Sequence, residues 1–200
     1  MDCYSAHHLE LTQQEHLRAF DRDLDLFFGG GLPLSSFIEC GFPMGREGRR
    51  ILLPFLTNAS RGLQYNAAFV LWVNGYDNLE VFAPAWFARG LAPDKTVFAQ
   101  SSDVLVELKQ VFLNPLFKVI VIDSPQFFSS ADCLFLRRMA KKNRQVILLL
   151  RNYFLTNKKG NIACALRFNA WCEHTHEVMV LQAVKGFGSR TKMVWPKGFF

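Results

Sequence analysis

Two stretches of the chain hold residue types suited to phosphate and metal chemistry. In the first, Phe37-Ile38-Glu39-Cys40 runs into Gly41-Phe42-Pro43-Met44-Gly45-Arg46-Glu47-Gly48-Arg49-Arg50. A glycine-spaced turn after a buried strand can cradle phosphates with its backbone N–H groups, while a Lys reaches the β/γ oxygens and a Ser/Thr hydroxyl meets Mg²⁺. Gly41, Gly45 and Gly48 provide the turn and Arg46, Arg49 and Arg50 the charge, but the loop contains neither Lys nor hydroxyl. The second stretch, Val119-Ile120-Val121-Ile122-Asp123-Ser124, is a β-branched run ending in an acid. Ligands of open α/β sheets bind at that carboxyl end, and an Asp there orients Mg²⁺ in nucleotide hydrolases, although a cap or turn residue is the plainer reading. Gly41, Gly45, Arg46, Gly48, Arg49 and Asp123 thus form a degenerate nucleotide site, with no residue assigned to catalysis or to a metal.

The elements needed to position these residues are legible as an alternation. Leu24-Asp25-Leu26-Phe27-Phe28-Gly29-Gly30-Gly31-Leu32-Pro33 reads as a turn into a strand at about 36–40, followed by a helix over about 49–62 that ends at Gly62. The apolar run 67–73 predicts a strand covered on both faces. After it come a helix near 80–89, a strand at 96–100, a helix over 103–112, a strand at 118–122, a helix capped by Ser129 to about 142, and a strand at 145–150. Such alternation implies an α/β fold of three layers, a mainly parallel sheet between helices. The segments 162–173, 177–185 and 192–195 read as strands that extend the sheet in antiparallel fashion. Residues 1–23, with a helix over about 11–20, are expected to form an appendage to a core domain at 24–200.

Length and apolar content fit one core, and no apolar run approaches the roughly 20 residues of a bilayer span. The N-terminus lacks the pattern of a secretory signal, so a cytoplasmic protein without membrane contact is expected. The five cysteines are odd in number and irregularly spaced, which suits reduced core residues better than a disulfide framework. Cys172, His174 and His176 alternate at period two but lack a fourth ligand. Charge is uneven: residues 137–200 carry thirteen Lys/Arg against two acids, whereas residues 1–25 carry two Arg against six acids. A surface of this kind attracts nucleic acid or an acidic protein. Its candidate contacts are Arg137, Arg138, Lys141, Lys142, Lys158, Lys159, Arg190, Lys192 and Lys197. The pairs Phe127-Phe128 and Phe199-Phe200 are candidate partner contacts if exposed.

Placed in order, several segments resemble RecA recombinases and their relatives. Leu24–Glu39 resembles the entry to the ATP site, 68–74 the second core strand, and Lys118–Ser124 the metal-aspartate strand. Gly160-Asn161 with Ala165-Leu166-Arg167-Phe168 is similar to the segment after the second DNA-binding loop, and 188–194 to a late basic strand. The resemblance covers roughly 24–196 and implies a RecA-like core. Two departures stand out. The phosphate loop lacks Lys-Ser/Thr, and Asn74-Gly75-Tyr76-Asp77 stands where the family places its water-activating Glu. The Asn152–Asn161 loop is also shorter than the family's DNA loop.

Among RecA relatives, the chain is most similar to the ImuA type, accessory proteins of bacterial translesion synthesis related to the SulA inhibitors. Gly90-Leu91-Ala92-Pro93-Asp94-Lys95 and Leu136-Arg137-Arg138-Met139-Ala140 also look like that branch. This implies a non-catalytic accessory protein of the DNA-damage (SOS) response. Its partners would be an ImuB-like inactive Y-family polymerase homologue and an error-prone polymerase, with DNA and self-association open, and no cofactor is expected. Two alternatives stand beside it: an ATP- and Mg²⁺-binding DNA-dependent ATPase, and a SulA-like division inhibitor.

Overall fold

The computed structural model describes residues 15–75, 81–125, 128–157, 161–173, 178–186 and 192–196. In chain order its elements are β1 (His16–Leu17), α1 (Arg22–Phe27), β2 (Leu32–Pro33), β3 (Ser36–Gly41), a 3₁₀ turn (Gly48–Leu52), α2 (Leu53–Arg61), β4 (Phe69–Asn74), α3 (Ala83–Ala88) and β5 (Thr96–Gln100). There follow α4 (Val104–Glu107), α5 (Lys109–Leu113), β6 (Phe117–Asp123), α6 (Ser130–Asn143), β7 (Val146–Arg151), β8 (Leu166–Glu173), β9 (Val178–Lys185) and β10 (Lys192–Pro196). Eight strands form one sheet in the order β10-β9-β8-β3-β7-β6-β4-β5. Every pairing from β5 to β8 is parallel, and β8-β9-β10 is an antiparallel meander. The C-terminal strands are therefore antiparallel to one another as expected, but β8 itself joins β3 in parallel.

Alternation along the strands builds the three layers. Val119 and Val121 of β6, Ile38 and Cys40 of β3 and Leu148 of β7 face one side, where α1, the 3₁₀ turn and α2 cover them. Ile120, Ile122, Phe37, Ile147 and Leu149 face the other, under α4, α5 and α6. Such strands read as unbroken apolar runs because both faces are covered. Each fully buried Leu, Ile or Val contributes about 1.5–3 kcal/mol.

Local signals set the joints. Gly29, Gly30 and Gly31 all take positive φ (71°, 116° and 122°), which lets the chain reverse between α1 and β2. The Ser129 hydroxyl and the Asp132 carboxylate cap α6 reciprocally. In the helix expected over 49–62, residues 49–52 belong to a 3₁₀ turn instead, with α2 beginning only at Leu53 beside Pro54. The helix expected over 103–112 is split into α4 and α5 at Leu108.

The N-terminal expectation needs correction. Residues 15–20 are not helical: His16–Leu17 pairs with Leu32–Pro33, and Leu17 and Ala19 are buried with Leu24 and Phe27 in the first core cluster. Of the residues that suggest the helix, Leu9, Leu11, His16, Leu17 and Phe20, Leu17 is used for strand pairing and core contact, His16 pairs with Pro33 and Phe20 is exposed; Leu9 and Leu11 lie outside the described set. No helix among the described residues is long and apolar enough to cross a membrane.

Candidate functional site

Register brings the two chemistry-bearing stretches to one end of the sheet. Gly41 aligns with Arg151, Asn74 with Asp123, and Asp123 with Leu150, so the loop after β3, the acid ending β6 and the segment after β7 converge at the carboxyl edge. This is where an open α/β sheet binds ligands.

Arg49, in the 3₁₀ turn, fills that place. Its Nε donates to Asp123 Oδ2 at 2.7 Å and its Nη2 lies 2.7 Å from Asp123 Oδ1, a two-pronged guanidinium–carboxylate pair. The same Nη2 lies 2.9 Å from Ser124 Oγ and 2.5 Å from Asn152 Oδ1. Ser124 Oγ is 2.7 Å from both Asp123 Oδ1 and Asn152 Oδ1, closing the cluster. Asp123 is 3% exposed and the Arg49 side chain 21%, so the guanidinium covers the carboxylate. Ser124 holds φ at 54°, a left-handed backbone uncommon for a residue with a side chain. Its N–H donates to Leu150 O at 3.1 Å.

The glycines of the loop serve packing. A Cβ on Gly41 would lie 2.1 Å from Asn169 Oδ1 and 2.8 Å from Tyr153 O, and one on Gly48 would lie 2.2 Å from Ala170 O. Gly45, with φ of 73°, faces open space and supplies only the turn. The Phe42 and Arg46 N–H groups donate to Arg151 O and Pro43 O, and Arg46 O accepts from Cys172 N at 2.6 Å, which pins the loop to β8. Arg46 is exposed, and Arg50 pairs with Glu47 at 2.6 Å. Of the loop arginines, only Arg49 reaches Asp123 in these bonds.

A metal ion does not fit at Asp123 as these side chains stand: both of its oxygens accept from the Arg49 guanidinium, and in the loop the N–H groups of Phe42, Arg46 and Arg50 donate within the fold. The hydrolytic position at Tyr76-Asp77 lies outside the described residues. A cleft of about 870 Å³ opens at the opposite, amino end of the strands, beside Leu17, Tyr65, Phe69 and Leu116, and no residue of the glycine loop lines it.

A second charged cluster was not evident from the sequence. Glu39 of β3, 4% exposed, accepts from Arg151 Nε at 3.2 Å and from Arg167 Nε at 2.8 Å, and Arg167 Nη1 donates to Thr156 O at 3.1 Å. Beside it the Asn169 side chain bonds Leu155 as a strand would, accepting from its N–H at 2.7 Å and donating to its O at 3.1 Å. These bonds lay the segment 152–157 across β8, where the Phe154 ring meets Trp171 edge-on at 5.1 Å. Tyr153 and Phe154 remain 57% and 48% exposed. The partners are separated by 112 and 128 positions, so their pairing left no local signal in the sequence.

The remaining candidates divide. Arg137, Arg138, Lys141 and Lys142 are all exposed on α6. Lys158, Lys159, Arg190 and Lys197 lie outside the described residues, as does the Lys192 side chain, although β10 itself is described. Cys40, Cys133, Cys164 and Cys172 are buried free thiols, as expected of core residues. Burial is the first cause that raises the thiols of Cys40, Cys133 and Cys164 above their usual range, so all three stay protonated at neutral pH. Among the described residues no three His, Cys, Asp or Glu could share a metal ion; His174 and His176 lie outside them. Phe128 is partly buried against the second core cluster, while Phe127, Phe199 and Phe200 are outside the described set. No protein-family model matches the chain, and no curated protein is similar to it.

Proposed function

We propose that this chain is a non-catalytic, RecA-like accessory protein of the bacterial DNA-damage response. It acts in the cytoplasm, docking partners of mutagenic translesion synthesis and contacting single-stranded DNA. The observation that carries the reading is the Arg49–Asp123 pair: a side chain of the protein sits where the metal and phosphates of a working ATPase would meet the acid. Hydrolysis needs metal charge, phosphate clamping and an oriented water together. The pair removes the first, and the missing Lys-Ser/Thr removes the second.

Two surfaces support the docking role. The exposed cations of α6, Arg137, Arg138, Lys141 and Lys142, suit a phosphate backbone or an acidic protein segment. Shortly before Lys158-Lys159 in the sequence, the exposed rings of Tyr153 and Phe154 suit stacking on unpaired bases. The protein partners, an ImuB-like polymerase homologue and an error-prone polymerase, rest on the family resemblance.

Binding of an oligothymidylate and of Mg-ATP, measured on one preparation at two salt concentrations, tests the proposal. DNA binding without nucleotide and no calorimetric signal for Mg-ATP are expected. ATP turnover, or DNA binding that requires ATP, would sink the reading.

A further inference from the structure

We propose that the Arg49 guanidinium is a resident substitute for a bound cation and that it fixes the segment after β7, so that Tyr153 and Phe154 are displayed without any effector. Asn152, the first residue beyond β7, has its Oδ1 held by Arg49 Nη2 at 2.5 Å and by Ser124 Oγ at 2.7 Å. Four residues later Thr156 O is held by Arg167, itself fixed by buried Glu39, and Leu155 is held by Asn169. The two exposed rings lie between these anchors. A diffusible cation at the carboxyl edge would hold Asn152 only while bound. Arg49 is covalently part of the chain, and it cannot swing away without stranding a carboxylate that is 3% exposed. The display is therefore permanent, and Ser124, at φ 54°, bends the chain so that its hydroxyl reaches both acceptors.

This deepens the accessory-protein reading by giving its DNA-facing segment a fixed geometry, but the test reads the segment and not a partner. Amide hydrogen exchange of the 152–157 peptide is compared in the parent protein, Asn152→Ala and Arg49→Ala. Both variants are expected to exchange there about tenfold faster or more, in excess of any change in β3, β6 and β7. Guanidinium ion at sub-denaturing concentration is expected to slow that exchange again in Arg49→Ala but not in Asn152→Ala, whose acceptor is gone. Unchanged protection in Asn152→Ala overturns the proposal, and that variant keeps the core ion pair should Arg49→Ala fail to fold. An even rise across all strands in Arg49→Ala, with no guanidinium effect at 152–157, also overturns it, because Arg49 would then be a core ion pair only. Failure of DNA binding in the parent protein would leave this result standing while removing the accessory role.

Discussion

At the scale of single residues, Arg49 and Asp123 are worth more together than apart. Removing one partner of a buried pair strands the other, typically at about 3–5 kcal/mol, and the partial exposure of Arg49 places this pair toward the low end. Arg49→Met and Asp123→Leu are each expected to destabilise the protein by about 3 kcal/mol in urea unfolding. The double variant should lose less than their sum by about 2 kcal/mol, the coupling of contacting groups. Strict additivity would show that the pair contributes nothing as a pair. The sequence marked both residues as members of one site but not that they bind each other. A cation near an acid reads equally as two ligands for a nucleotide or as one closed pair, and only the 3₁₀ geometry of 48–52, which turns Arg49 inward, decides between them. Asn152, Glu39 and Arg167 were illegible as site residues because their roles come from strand register across more than a hundred positions.

At the scale of elements, the glycine loop is a packing device. A methyl group at Gly48 would run into the Ala170 carbonyl of β8, which cannot yield as a flexible side chain would. Gly48→Ala is expected to cost about 3 kcal/mol or more, whereas Gly45→Ala, strained only in its backbone, should cost about 1–2 kcal/mol. Thermal unfolding of the two variants checks this, and equal losses would mean that the loop does not rest on β8. The parallel strands were legible because burial on both faces leaves unbroken apolar runs. The N-terminal segment was not: Leu17 and Phe20 stand three apart, as on a helix face, but Leu17 pairs opposite Leu32 and packs in the core while Phe20 is exposed.

At the scale of the whole molecule, the buried thiols report on global opening. Unfolded thiols ionise near the ordinary cysteine value of 9.0, but burial keeps those of Cys40 and Cys164 protonated well beyond it. A raised folded value contributes stability that is fully present below pH 9 and is lost as pH climbs toward the folded value. Urea unfolding at pH 8 and pH 10 should show a loss of about 1.4 kcal/mol in total between the two for each of these two thiols. Cys40→Ala with Cys164→Ala should flatten that loss; an unchanged alkaline slope would rule the thiols out as its source. The charge of α6 acts at the same scale. Replacing Arg137, Arg138, Lys141 and Lys142 by Ala should make the salt dependence of the proposed single-strand binding shallower by about 0.7 for each phosphate contact removed.

The closed guanidinium–carboxylate pair also shapes which sequences this one can reach. A Lys placed at position 49 would face a carboxylate already within the fold, and a Ser or Thr in the loop would meet no metal while Asp123 holds the guanidinium. Removing Arg49 first uncovers a buried charge, at a cost that is a large part of the 5–15 kcal/mol by which domains of this kind are stable. A nucleotide site on this fold thus needs several coordinated changes, each unfavourable alone, and the pair stands as a barrier to reaching it by single substitutions.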